Sequence, residues 1–319
     1  MSSKAKEGDQ FSTLDGRTYT GSDNLPSSLR LWRGVLNSED ALRTGQTADS
    51  QGVFQAGSRA SGRNPVSGNG VSHRLGQYPV AAWYQPKIDM ATGRVVGLEA
   101  LARVIDPARG PLSPCELLRG ATADSLEDLT IEILSQAVAT QRRLHSEGHT
   151  LDIAVNLTAT LIERRDVRNH LLECVREGGG DPSRIVLEIV ETEQACDLTA
   201  LIRGVEALCA HGFRFAADDF GTGYNTLLRL IQISFTELKV DRAFVRNAGS
   251  DPHVRGALEA CVLLGKRLGL VVTAEGVETC ADLEITQDFG CDYAQGFLIS
   301  RPLSAHAITE FLLRWQPNS

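Results

Sequence analysis

The chain has 319 residues, 42 % of them hydrophobic, and its 32 Lys and Arg against 40 Asp and Glu leave a formal net charge of −8. That is a globular composition, and without a basic block it excludes a nucleic-acid polymer as partner, because phosphate backbones are held by clustered Lys and Arg. A small phosphate ligand stays compatible if metal ions bring the positive charge. No apolar run reaches the roughly 18 residues that span a bilayer, so no membrane association is expected, and no apolar segment of a secretory signal follows MSSKAKEGDQ.

Residues 1–75 are rich in Ser, Gly, Asn, Asp and Thr and read as a flexible tail that cannot bury enough apolar surface to order itself. Within it, Leu29, Leu31, Trp32, Val35 and Leu36 have the spacing of a short amphipathic helix that would dock a protein partner, though a weakly ordered tail is the preferred reading. From residue 76 to 319 a regular alternation sets in. Eight apolar runs read as strands: VAAWYQPKI, VVGLEALARV, LDIAVNL, RIVLEIVE, FRFAADDF, ELKVDRAF, LVVTAEGVE and YAQGFLIS. Segments with helical apolar spacing separate most of them, several stopping at glycine, among them TATLIERRDVRNHLLECVREG and DLTALIRGVEALCAHG. The first two strands are joined only by the polar turn DMATGR, which predicts a hairpin. The fold class is therefore α/β, a modified (β/α)8 barrel of the TIM type with one antiparallel strand and one antiparallel pair. Seven cysteines (Cys115, Cys174, Cys196, Cys209, Cys261, Cys280 and Cys291) form no CxxC and fit reduced thiols in a cytoplasmic protein.

Polar residues interrupt the apolar runs at one end of each predicted strand. Glu99, Asn156, Glu188 with Glu191, Asp218 and Asp219, Lys239 and Asp241, Glu275 and Glu278, and Gln295 would all face the carboxyl rim, where barrel enzymes place their chemistry. Any one of them alone is an ordinary strand end meeting solvent. So many carboxylates converging on one mouth would repel unless cations offset them. The oxygen donors Glu99, Asn156, Glu188, Asp218, Asp219 and Glu275 include no His or Cys, which points to Mg2+ or Mn2+ rather than zinc. Two such ions suit in-line attack on a phosphodiester. Lys239 would steady the attacking oxygen or a phosphate oxygen, and Gln295 would orient the water.

Together these segments resemble the EAL domain, the bacterial family that hydrolyses cyclic di-GMP. The naming triplet is Glu99-Ala100-Leu101, and VNLT, LEIVE, DDFGTGYNTL, LKVDRAFV, AEGVET and YAQGFLISRPL follow in the family's order over residues 78–315. The resemblance implies a homodimer using two Mg2+ or Mn2+ ions to open cyclic di-GMP into linear pGpG in biofilm and motility signalling; Ca2+, which prefers looser and higher coordination, is expected to inhibit. It implies Glu99, Asn156, Glu188, Asp218, Asp219 and Glu275 as metal ligands, and Lys239 and Gln295 as water-positioning residues. Gln85, Leu101, Arg103 and Asp241 would contact substrate, and Glu278 would brace the loop DFGTGYNTL. Departures from the family pattern, YNTL for a pair of serines and Val104 and Asp106-Pro107 after the triplet, remove none of these residues. The alternative is an EAL-like receptor that binds the nucleotide without cutting it.

Overall fold

The structure is a computed structural model that describes residues 10–12, 18–20, 79–106, 110–112, 122–190, 197–221 and 227–315. The predicted helix over Leu25–Gly45, Glu191, residues 222–226 of the glycine loop, Cys115 and Cys196 lie outside them. Two short strands, β1 (Gln10–Ser12) and β2 (Thr18–Thr20), pair antiparallel with each other.

The barrel strands are β3 (Val80–Asp89), β4 (Val95–Asp106), β6 (Asp152–Thr158), β7 (Ile185–Val190), β8 (Arg214–Phe220), β9 (Glu237–Val240), β10 (Val271–Ala274) and β11 (Tyr293–Gln295). The sheet runs β3-β11-β10-β9-β8-β7-β6-β4 and closes through β3–β4. Two short strands flank it: β5 (Gly110–Leu112) pairs with β4, and β12 (Leu303–Ser304) pairs with β3. The DMATGR hairpin forms as predicted. Asp89 Oδ1 accepts from the backbone N–H groups of Ala91 and Thr92, and Gly93 takes the positive φ of 69° that the turn requires. The expected single antiparallel pair becomes two, β3–β4 and β3–β11. One reversed strand in a closed ring is antiparallel to both neighbours, so the second joint follows from closure.

Helices clothe the ring: α1 (Ala123–Ser146), α2 (Ala159–Glu163), α3 (Arg165–Gly178), α4 (Leu198–Cys209), α5 (Leu227–Gln232), α6 (Arg242–Val245), α7 (Pro252–Arg267), α8 (Cys280–Asp288) and α9 (Ala305–Arg314). The long helix expected from Thr158 to Gly178 breaks at Arg164, whose backbone is extended. Arg168 donates to the carbonyls of Ile162 (2.6 Å) and Glu163 (2.8 Å), satisfying the end of α2 and making the break tolerable. The predicted sixth and seventh strands are shorter than their motifs: Asp241 is the N-cap of α6, and residues 275–278 are loop. The FLIS segment, expected as strand, leaves the sheet after Gln295. The described cysteines are free thiols, and Cys280 and Cys291 are buried. Among the described residues no helix is long and apolar enough to cross a membrane.

Inside the barrel, Ala154, Val186 and Ala216 form a small apolar layer. Beside it, Lys87 and Glu237 form a buried ion pair (2.5 Å), and Thr273 Oγ1 donates to Glu237 Oε1 (2.5 Å). The residues two positions further along β6, β7, β8 and β9 are Asn156, Glu188, Asp218 and Lys239, and by the period of a strand they face the same lumen one layer nearer the mouth.

Candidate active site

Four carboxylates surround one ammonium at the barrel mouth. Lys239 Nζ lies 2.7 Å from Glu188, 2.8 Å from Asp218, 2.7 Å from Glu275 and 3.7 Å from Glu99, and its side chain is 1 % exposed. Glu99 is held from both sides: Asn156 Nδ2 donates to Oε1 (3.0 Å), and Gln295 Nε2 donates to Oε2 (2.5 Å). Gln295 also donates to Gln85 Oε1 (3.3 Å), whose own amide donates to the Ser300 carbonyl (3.0 Å). Each side chain is aimed by its strand. Asn156 pairs in register with Glu188, and Gln85 with Glu99, so the polar ring repeats the barrel's own pairing.

Four acids against one Lys leave a formal surplus of three negative charges (4 − 1) at that point. The titration of the ring follows. Burial pushes Glu275 up to about 8, with Asp218 and Glu99 adding to the effect and Lys239 opposing it. Burial also raises Glu188 well above the carboxylate range, again against Lys239. For Glu99 burial acts upward too, but Lys239 and the bonds from Asn156 and Gln295 outweigh it and lower its pKa. Lys239 is raised well above its usual value because four acids outweigh its own desolvation. Without a further cation, the ring has to retain protons.

Asp219 departs from its neighbours. Its backbone takes a left-handed φ of 49° and its side chain reaches the surface, so it leaves the lumen and crosses to the rim. There partial burial, the charge of Asp218 and the facing Asp241 carboxyl push it up to about 7. Ligand oxygens of Asp218, Asp219 and Glu275 lie within 4.8 Å of one another. Gly221 follows at φ 102°, and a Cβ there would sit 2.5 Å from the Phe244 ring. Only glycine fits that turn.

The donor set fits hard divalent cations. It is all oxygen, it carries excess negative charge, and the buried Glu188 Oε1 accepts a hydrogen bond from no described residue. Among the described residues, Asp218, Asp219 and Glu275 bring carboxylate oxygens close enough together to hold such an ion.

Above the ring opens a cavity of about 600 Å3, lined by every predicted site residue except Asn156 and Glu188, which stand directly behind Glu99 and Lys239. Glu278 pairs with Arg246, and its backbone N–H donates to Asp282; the glycine-loop residues it is expected to brace, 222–226, are outside the described set. Trp83, Arg242, Phe297, Arg301 and Pro302 also line the cavity and escaped the sequence reading. Arg301 lies over the Phe297 ring at 4.4 Å. Trp83 was hidden because an aromatic on a strand reads as core, although its place two residues before Gln85 puts both on one face.

The EAL domain family matches residues 71–302, and the chain belongs to it. The bifunctional diguanylate cyclase/cyclic di-GMP phosphodiesterase MucR of Pseudomonas aeruginosa is 35 % identical over 227 residues, which cover 70 % of this chain. The chain spans only 33 % of that relative's length. Among solved structures, the PaMucR phosphodiesterase in complex with c-di-GMP has a TM-score of 0.70 at 33 % identity, covering 75 % of this chain and 99 % of that one. The manganese/cy-diGMP complex of Klebsiella pneumoniae BlrP1 has a TM-score of 0.63 at 30 % identity, covering 72 % and 58 %.

Proposed function

We propose that this protein is a metal-dependent phosphodiesterase that hydrolyses cyclic di-GMP to linear pGpG, lowering the cellular level of that messenger in biofilm and motility signalling. The observation that carries the reading is the ring of Glu99, Glu188, Asp218 and Glu275 around Lys239, in a family whose solved members include a phosphodiesterase bound to c-di-GMP. Water adds to phosphorus as the P–O3′ bond breaks, and the products carry a 5′-phosphate and a 3′-hydroxyl. Two Mg2+ or Mn2+ ions held by the ring would supply Lewis-acid activation and neutralise the charge that develops on phosphate.

The chain's own groups do the rest. Lys239, fixed by carboxylates on three strands and on the loop after β10, presents a positive charge to the attacking oxygen or to a phosphate oxygen. Gln295, locked between Gln85 and Glu99, offers a preset amide to orient water. Arg103 binds a phosphate through its planar fork of donors, while Gln85, Leu101 and Asp241 shape the pocket wall around it. Glu278 supports the neighbouring glycine loop.

Further readings go with this proposal. The barrel is one unit from about residue 76, preceded by a polar segment through which a protein partner could bind, and the protein works in the cytoplasm. It is a homodimer: α5, just after the glycine loop, exposes Leu227, Leu228 and Ile231, all more than half accessible, and a second copy would cover them. Calcium inhibits, since it prefers looser coordination than the octahedral geometry Mg2+ and Mn2+ adopt. The deciding experiment is chromatographic assay of the full chain with cyclic di-GMP in Mg2+, Mn2+ and Ca2+. Appearance of pGpG with Mg2+ or Mn2+ supports the proposal, and binding without product under every metal sinks it in favour of a receptor.

A further inference from the structure

We infer that Trp83 is a base-stacking residue, whose indole face receives one purine ring of the ligand while a phosphate lies over the acidic ring. This rests on the cyclic dinucleotide reading above.

Three observations place it there. Gln85 pairs in register with Glu99, and two residues toward the mouth Trp83 pairs with Leu101 on one side and Ser304 on the other. At a strand's rise, that sets Trp83 about 7 Å above the Gln85–Glu99 level, one ribose beyond a phosphate bound at the ring. Trp83 and Leu101 both line the cavity. Finally, no other described residue makes use of this indole. The other described tryptophan, Trp315, packs on Phe311 (5.1 Å between ring centroids) and donates its Nε1–H to the Gly93 carbonyl (2.9 Å). Next along the chain, Tyr84 is fully buried with its hydroxyl bonded to Thr140. Trp83 is only half-buried and, among the described residues, its indole has neither a ring partner nor a hydrogen-bond acceptor. A large apolar face left open toward a cavity is a stacking platform. Such stacking accepts any base, because every base has a π-face. Trp83 therefore supplies affinity, and discrimination of guanine falls to the polar groups around it.

The test uses the full chain with Mn2+ and three variants. Trp83→Leu keeps apolar bulk but removes the π-face. It should raise the KM for cyclic di-GMP about 5- to 100-fold with kcat within about twofold, and Trp83→Phe should recover most of the loss. A KM within twofold of the parent for Trp83→Leu, or a phenylalanine variant as impaired as the leucine one, overturns the inference. Should the leucine variant not fold, tryptophan fluorescence decides. Quenching of the unaltered protein by 5′-GMP that is lost in Trp83→Phe supports stacking, and equal quenching in both, or none, overturns it. Ribose 5-phosphate, which lacks a base, should bind equally to parent and Trp83→Ala. GMP quenching that depends on Trp83 in a protein that never cuts cyclic di-GMP would refute the proposed function and leave the stacking role standing.

Discussion

Replacing Lys239 with methionine tests the electrostatic account of the ring. The side chain is 1 % exposed and its ammonium is shared by four acids, so the variant keeps the volume and deletes the positive charge at the centre. Removing one partner of a buried ion pair costs about 3–5 kcal/mol. At roughly 2–4 °C per kcal/mol for a domain this size, the melting temperature in EDTA should fall by about 6–20 °C. Divalent cations can replace the missing charge, so saturating Mn2+ should close at least half of that gap. The assay is thermal unfolding of parent and variant, each in EDTA and in Mn2+, beside turnover of cyclic di-GMP. Turnover should drop about 10²- to 10³-fold even where Mn2+ restores stability, because no divalent ion reproduces the aimed N–H donors. A gap of equal size with and without Mn2+ would mean that Lys239 matters only for packing, and no gap in EDTA would mean that the ring is not under electrostatic stress. Either result refutes the account.

Glu99→Ala should cut turnover at least about 10²-fold, since it removes the carboxylate on which Asn156 and Gln295 converge; near-normal rates in the same assay would remove Glu99 from the reaction. Glu275 and Asp219, at about 8 and about 7, hold protons at neutral pH that a bound cation must displace. Mn2+ uptake at pH 7 should therefore release protons, and apparent affinity should weaken as pH falls from about 8 to about 6. Calorimetric titration in buffers of different ionisation enthalpy measures this, and an uptake independent of buffer would contradict it. Gly296→Ala would place a Cβ 2.1 Å from the Val277 carbonyl oxygen, against rigid backbone. It should destabilise the fold by about 1–3 kcal/mol in urea unfolding and lower kcat by moving the adjacent Gln295.

All eight barrel strands were legible because each is a short apolar run, and most carry a polar residue that a core strand would not need. The same interruptions disclosed the ring: Glu188, Asp218 and Lys239 stand at the period of a strand above Val186, Ala216 and Glu237. What could not be read depends on partners distant in sequence. The β3–β11 pairing joins Lys87 to Gln295, neighbours in the sheet but about 200 residues apart in the chain, and no local pattern encodes it. The ion pair of Lys87 with Glu237 is equally non-local. The break at Arg164 is set by where Arg168 finds its acceptors, although the apolar spacing runs straight through it. Helix α8 is a different kind of miss. Its apolar periodicity is weak, yet Thr279 and Asp282 form a capping box that the sequence displays openly.

The reversed direction of β3 also decides which side of the barrel meets whatever precedes it. In a barrel with eight aligned strands, upstream polypeptide arrives at the floor, about 30 Å from the chemistry for a strand of this length. Here it comes in at Val80, on the rim beside Trp83 and Arg103. A sensor fused ahead of such a strand is tethered next to the substrate's doorway and needs no long-range relay to govern entry.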